Sequence, residues 1–310
     1  MRVLVTGAAG YIGSVLCEHL LDAGHSVVAL DSMLYGEASL FHLCSNPNFF
    51  FHRGDVRDEK KVKDLLGDAE AVIPLAAIVG AGACDRDPVM ARTVNLESIH
   101  LLNRLRSRNQ LVVYPVTNSG YGAQSGDVYC TEETPLEPIS LYGQTKVEAE
   151  AALLESENVI TLRLATVFGM SPRMRLDLLV NHFTYAALFD RYLVIFEKDF
   201  KRNYIHVRDV ADCFLHCLAN AEAMRGRPYN AGLDDANLSK AELAETIKGF
   251  IPDFYIHYAE IGQDPDKRNY VVSNQRLREA GFEAQRGLED GIRELIKGYR
   301  MLGRSVHKNV

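Results

Sequence analysis

The chain has little of what a metal framework, a membrane span or a nucleic-acid surface requires. Its six cysteines, at 17, 44, 84, 130, 213 and 217, form no CxxC pair and keep no regular spacing, which argues against a zinc ribbon or a disulfide scaffold. Cys213 and Cys217 have His216 between them, but in DVADCFLHCLANAE the two thiols share one apolar helical face. They read as core side chains, and no metal is expected. This usage points to a reducing, cytoplasmic compartment. No apolar run approaches the ~20 residues of a membrane span, and the first residues enter a strand pattern rather than a secretory leader. With 34 Lys and Arg against 41 Asp and Glu, the net charge of −7 lacks the basic surplus of a nucleic-acid or anionic-membrane binder. Internal repeats, low-complexity tracts and an obvious flexible linker are also missing.

What is present begins at once. In MRVLVTGAAGYIGSVLCEHLLDAGHSVVALD an apolar run (Val3, Leu4, Val5) breaks into a turn carrying Gly7, Gly10 and Gly13. A helical stripe of Ile12, Leu16, Leu20 and Leu21 follows, and then a second apolar run ends in Asp31. This strand–turn–helix–strand unit is the fingerprint of dinucleotide binding. Glycines permit the tight turn and let backbone N–H groups of the GAAGYIG segment, Tyr11 and Ile12 among them, approach a pyrophosphate at the positive end of a helix. Asp31 lies 18 residues beyond Gly13, placed to accept from the adenosine ribose hydroxyls. A carboxylate there repels a 2′-phosphate, and Ser32 and Met33 supply no arginine to bind one. The expected cofactor is NAD rather than NADP. A tight turn with no ligand is the bland alternative, and the register of glycines, helix and Asp31 speaks against it.

Strand and helix patterns then alternate: 49–52, 71–77, 111–116 and 159–164 read as buried strands, with helices ending at Leu66 and spanning Pro88–Arg106 and Tyr142–Glu155. Nearly all-apolar strands between helices predict an α/β fold, a Rossmann-type doubly wound parallel sheet covered on both faces. Beyond 165 the alternation loosens. We therefore expect a dinucleotide-binding domain over 1–165, to which 203–233 returns, and a smaller, mainly substrate-binding C-terminal domain over 166–310. The ligand cleft is expected between them.

Two segments carry acid–base chemistry. Tyr142-Gly-Gln-Thr-Lys146 places a phenol and an ammonium one helical turn apart. A cation beside a phenol favours the phenolate, producing a general base for a sugar or alcohol hydroxyl. By itself Y-x-x-x-K is common in helices. Its position after a dinucleotide unit, and after the strand-ending Thr117-Asn-Ser-Gly-Tyr-Gly122, gives it weight, since open α/β sheets bind ligands at the carboxyl ends of their strands. Thr117 offers a hydroxyl between base and substrate. Arg173 and Arg175 in one loop, with Lys267 and Arg268 in another, are candidates for a basic rim that binds phosphate, against an alternative of solvated surface charge. Asn181 is a further substrate candidate. Cys84 and His182 are weaker candidates for acid–base work at C3 or C5, against roles in packing or lining.

TGAAGYIG, GDVRD (54–58), LAA (75–77), the YG of 121–122, YGQTK and RNYIHVRDV (202–210) together resemble the extended short-chain dehydrogenase/reductase family of nucleotide-sugar epimerases, dehydratases and dehydrogenases. The motifs run in order from residue 1 to about 210. The resemblance implies that Asp55 and Val56 flank the adenine and that Leu75, Ala76 and Ala77 border the cofactor phosphates and ribose. It implies that Asn95 organises the site, that Thr117, Tyr142 and Lys146 form the catalytic trio, and that Arg202 holds the diphosphate of a nucleotide-sugar substrate. It also implies a homodimer packed through helices 88–106 and 142–155.

Departures from the family pattern narrow the activity. Dehydratases carry an Asp-Glu pair after the catalytic Thr; here Asn118 and Ser119 stand there, facing substrate without acid–base capacity, so a 4,6-dehydratase is not expected. Thr166 replaces the Asn that binds substrate in many 4-epimerases. Pro74 replaces the His usual before L-A-A. Segments 79–88, 114–122, 163–181 and 251–268 are similar to NAD-dependent 4-dehydrogenases of GDP-linked heptose. The expected reaction is oxidation at C4 of a nucleotide-activated sugar, foremost GDP-D-glycero-D-manno-heptose. A 4-epimerase is the alternative, and a non-catalytic nucleotide-binding protein a remoter one.

Overall fold

The computed structural model describes residues 1–36, 38–123, 129–260 and 269–304. Its first half runs β1 (Arg2–Thr6), α1 (Tyr11–Asp22), β2 (Ser26–Asp31), β3 (Phe49–Arg53), α2 (Glu59–Leu66), β4 (Ala71–Pro74), α3 (Ala81–Arg86), α4 (Pro88–Arg92), α5 (Ser98–Leu105), β5 (Leu111–Thr117), β6 (Tyr129–Cys130), α6 (Leu141–Leu154) and β7 (Val159–Leu164). Then come β8 (Thr166–Phe168), α7 (Leu179–Tyr185), β9 (Tyr192–Ile195), β10 (Lys201–His206), α8 (Val207–Ala219), α9 (Ala221–Met224), β11 (Arg227–Ala231), β12 (Asn237–Ser239), α10 (Lys240–Phe250), β13 (Tyr255–Tyr258), β14 (Val271–Val272), α11 (Gln275–Glu279) and α12 (Leu288–Leu302).

Seven parallel strands form the main sheet in the order β3-β2-β1-β4-β5-β7-β11. This is the doubly wound α/β arrangement, with its order reversing between β1 and β4. The strands are apolar throughout because both faces are covered. Val3, Val5, Val27, Ala29, Ala71 and Ile73 point into the core on the side of α1 and α8. Leu4, Val28, Leu30, Val72, Val112 and Tyr114 point to the other side, under α2, α5 and α6.

The central strands part where the crevice opens. β4 and β5 pair through Ala71–Leu111 and Val72–Val112, and further along each strand reaches a proline, Pro74 and Pro115. Neither can donate to a ladder, so the ladder gives way to the cleft at the carboxyl ends of the strands.

The expected long helix over 88–106 is instead α4, a π-type turn at Thr93–Glu97 and α5, preceded by the short α3. The wide turn turns Asn95 inward, as described below. The return of 203–233 is divided. α8 packs on α1 and β11 closes the main sheet, whereas β10 joins a small sheet with β8 and β12. One hydrophobic core runs from Val3 through Tyr299 without interruption, so the C-terminal elements pack directly on the sheet. Among the described residues no helix is long and apolar enough to cross a membrane.

Candidate functional site

The cleft starts at the turn after β1. Gly7 has φ +68°, and a Cβ there would lie 2.6 Å from the Ala76 backbone nitrogen. A Cβ on Gly13 would lie 2.3 Å from the Gly7 carbonyl oxygen. Both positions exclude a side chain, and the chain gains a smooth backbone cradle. Gly10 caps α1 without any side-chain hydrogen bond, so the first N–H groups of the helix have no competing side-chain acceptor. Such a cradle fits an anionic pyrophosphate. Asp31, at the end of β2, accepts from the Ala9 N–H at 2.9 Å and the Met33 N–H at 2.7 Å. Those bonds hold its carboxylate at the cleft wall.

An open cleft of ≈ 310 Å³ runs from this turn across the sheet ends. It is lined by Gly7, Gly10, Tyr11, Ile12, Gly13 and Asp31, then by Asp55, Val56, Leu75, Ala76 and Ala77. Thr117, Tyr142 and Lys146 line the same cleft, as do Thr166, Arg173 and Arg175. Residues far apart in sequence thus converge because most of them end a strand, lie in the loop after one or begin the next helix.

The acid–base group is built on α6 and β5. Ser140 caps α6, accepting from the Gly143 N–H at 3.2 Å, which fixes the first turn where Tyr142 sits. Lys146 is buried, and its Nζ lies 3.9 Å from the centroid of the Tyr114 ring. Burial drives its pKa down to about 7, while the charge of Glu150 one turn on works in the opposite sense. The Thr117 and Ser119 hydroxyls lie 2.5 Å apart, and Thr117 Oγ1 also accepts from the Ser119 N–H at 3.1 Å. Glu150 is anchored beneath: Arg163 Nε donates to its two oxygens at 3.1 and 3.0 Å, and the Thr161 hydroxyl donates at 2.6 Å.

Several expected residues stand elsewhere. Asn95 does not line the cleft: its Oδ1 accepts from the Ile78 N–H at 2.8 Å and its Nδ2 donates to the Ile78 carbonyl at 2.9 Å. It ties the segment after β4 to α6 through Thr145, 3.4 Å away, so it acts through the backbone rather than by touching cofactor. Asn181 is wholly buried, its amide spent on Gly169, Tyr11 and the Arg175 carbonyl. That corrects its reading as a substrate ligand. Arg202 is buried behind Tyr270, 5.7 Å from the ring centroid, and Tyr270 rather than Arg202 meets the cleft. Asn118 and Ser119 are buried below the lining. Lys267 and Arg268 lie outside the described residues.

Arg173 and Arg175 are buried, not solvated. Arg173 stacks over the Tyr35 ring at 4.7 Å, and Arg175 is forked by Asp177. Asp55 is likewise engaged: Arg57 donates to both its oxygens and holds its carboxyl below the usual range. Cys84 is buried, donating to the Ile78 carbonyl at 3.3 Å, with burial pushing its thiol up to about 11; His182 is exposed on α7 away from the cleft. Neither is positioned for acid–base work on a ligand in this cleft. Two lining aromatics, Tyr35 and Tyr270, were not anticipated. Tyr270 begins the short apolar run YVV, while nothing local marks Tyr35.

A parallel sheet with a glycine cradle at its switch point, a carboxylate at the end of the next strand and a Tyr–Lys helix facing them fits an NAD-dependent enzyme acting on a hydroxyl group. The chain belongs to the NAD dependent epimerase/dehydratase family, whose pattern matches residues 3–232. It is 32% identical, over 97% of its length and 99% of the relative, to a UDP-glucose 4-epimerase of Mycolicibacterium smegmatis. A UDP-glucose-4-epimerase from Stenotrophomonas maltophila, solved with bound NAD and formylated UDP-arabinopyranose, superposes with a TM-score of 0.85 at 25% identity, covering 99% of this chain and all of that one. A dTDP-glucose 4,6-dehydratase from Bacillus anthracis, solved with NAD, shares the fold at a TM-score of 0.84, with 22% identity and 97% coverage of both chains.

Proposed function

We propose that this protein oxidises C4 of a nucleotide-linked sugar and releases the 4-keto product, with GDP-D-glycero-D-manno-heptose the foremost substrate. The observation that carries the reading is the convergence of Thr117, Tyr142 and Lys146 on the cleft that holds the glycine cradle and Asp31. Bound NAD supplies the hydride acceptor. Tyr142 takes the proton of the C4 hydroxyl as the C4–H electron pair departs, leaving a carbonyl. Lys146, when charged, favours the Tyr142 phenolate and donates to ribose hydroxyls. Thr117 steers the substrate oxygen. Arg173 presents a cation to the diphosphate, beside Arg175, which shares its charge with Asp177.

Asn118 and Ser119 supply no acid near the sugar, which weighs against dehydration. The choice of a GDP-linked heptose rests on the resemblance of segments 79–88, 114–122, 163–181 and 251–268, and Thr166 stands where many 4-epimerases carry Asn. Expression in the cytoplasm and a homodimer formed through α4, α5 and α6 belong to the same reading.

A second reading is a 4-epimerase, favoured by the near full-length likeness to the M. smegmatis UDP-glucose 4-epimerase. Incubation with NAD and GDP-D-glycero-D-manno-heptose, followed by mass spectrometry and NMR, separates the two. A dehydrogenase gives a product lighter by two hydrogens, or its hydrate, with NADH formed. A product of unchanged mass inverted at C4, with no net NADH, establishes the epimerase and overturns the dehydrogenase. A panel of UDP-, CDP- and dTDP-sugars tests the base.

A further inference from the structure

The structure assigns Tyr114 as a positioning residue: its ring face holds the Lys146 ammonium in the charged state needed to engage the cofactor ribose. Tyr114 lies in β5, three residues before Thr117, on the sheet face that α6 covers. It is fully buried, with Lys146 Nζ 3.9 Å from its ring centroid. At that distance the negative face of the ring attracts a desolvated cation. The assignment rests on Lys146 as a cofactor-binding residue.

The ring face lies directly against the ammonium and adds to the more distant charge of Glu150. The titratable groups around Lys146 are Tyr142 and Glu150 on its own helix, Tyr114 on β5, Cys84 on α3, and Arg163 on β7 behind Glu150. Cys84 keeps a neutral thiol. Glu150, one turn on, opposes the desolvation of the ammonium, while also pairing with Arg163 at 3.0 Å and accepting from the Thr161 hydroxyl. Arg92 and Glu148, also on the helices that pack here, pair with each other at the exposed surface. Across the cleft Arg173 carries charge of the same sign as the ammonium, and Arg175 is paired with Asp177.

The hydroxyl of Tyr114 is buried and has no hydrogen-bond partner among the described residues. A phenol without a partner adds a desolvation cost that phenylalanine would avoid. The working part is therefore the aromatic face, and the hydroxyl is dispensable.

The test is NAD affinity against pH, which needs no sugar and no turnover. A charged Lys146 donates to ribose hydroxyls, so affinity falls on the alkaline side with a midpoint at the Lys146 pKa. Calorimetric titration from pH 6 to 9 should place the midpoint of Tyr114→Leu lower than wild type by about one unit, the size of a desolvated cation–π contact. Tyr114→Phe should keep the wild-type midpoint, and Lys146→Met should flatten the curve. Pentafluorophenylalanine at 114, which keeps the ring's shape but reverses its quadrupole, should shift the midpoint as Leu does, and it covers the case in which the Leu variant fails to fold. An unshifted midpoint in the fluorinated protein, or a Phe variant that behaves like Leu, overturns the assignment. Failure of every sugar nucleotide to react leaves this test intact and counts against the proposed function alone.

Discussion

Replacing Lys146 by Met should stabilise the protein and silence it. The wild-type ammonium is buried at 3% exposure and its pKa falls from an ordinary 10.5 to about 7. Because the folded pKa is the lower one, the unfolded chain binds more protons between pH 7 and 10.5. Wild-type stability therefore rises with pH through that window, and the full cost is present below pH 7. At about 1.4 kcal/mol per pKa unit the cost is about 5 kcal/mol at pH 6 and about 3 kcal/mol at pH 8, vanishing above pH 10.5. Met fills a similar volume without charge, so it removes this cost while keeping the methylene packing. For a chain of this size the gain corresponds to a Tm rise of about 10 °C at pH 6. Thermal unfolding of the cofactor-free proteins by circular dichroism at several pH values reads it directly. The gap between variant and wild type should shrink steadily as pH rises from 7. A gap that ignores pH, or a variant less stable than wild type at pH 6, refutes the argument that Lys146 is held charged against desolvation.

Four further outcomes follow from named contacts. Tyr142→Phe should lower the rate by ~10²–10⁴, the usual share of a positioned acid or base, with NAD affinity by calorimetry little changed. Gly7→Ala, which drives a Cβ to 2.6 Å from the Ala76 nitrogen at φ +68°, should abolish the thermal shift produced by NAD. Asp31→Ala should erase the preference for NAD over NADP in direct titrations of both. Arg163→Met leaves Glu150 buried with its charge unpaired and should cost about 3–5 kcal/mol in urea unfolding.

The main sheet and the cofactor half of the site were legible because their determinants are local. A continuous apolar run such as Val3–Val5 or Val159–Leu164 announces a strand covered on both faces, and the glycines, α1 and Asp31 fall within one βαβ unit. Thr117, Tyr142 and Lys146 were legible because strand ends and helix starts carry the chemistry in such folds. What was hidden depends on partners distant in sequence. The π-type turn at Thr93–Glu97 follows from Asn95 reaching back to Ile78, a bond no periodicity encodes. Short strands such as β8 and β12 exist only through their pairing with β10. Asn181 reads as a substrate ligand in the sequence, but its amide is engaged by Tyr11 and Gly169, partners distant in the chain. For Arg173 the sequence leaves a phosphate-binding rim and solvated charge both open, and its burial against Tyr35, carried by the loop after β2, is not local information.

The central claim is that the C4 hydrogen leaves as hydride while Tyr142 takes the hydroxyl proton. A single turnover with GDP-D-glycero-D-manno-heptose deuterated at C4 tests it most directly, with the cofactor analysed by mass spectrometry after quenching. The account predicts deuterium in the reduced nicotinamide with the wild-type protein and about 10²–10⁴ less in the same interval with Tyr142→Phe. Label retained at C4 while the sugar is converted, or transfer undiminished in Tyr142→Phe, contradicts it.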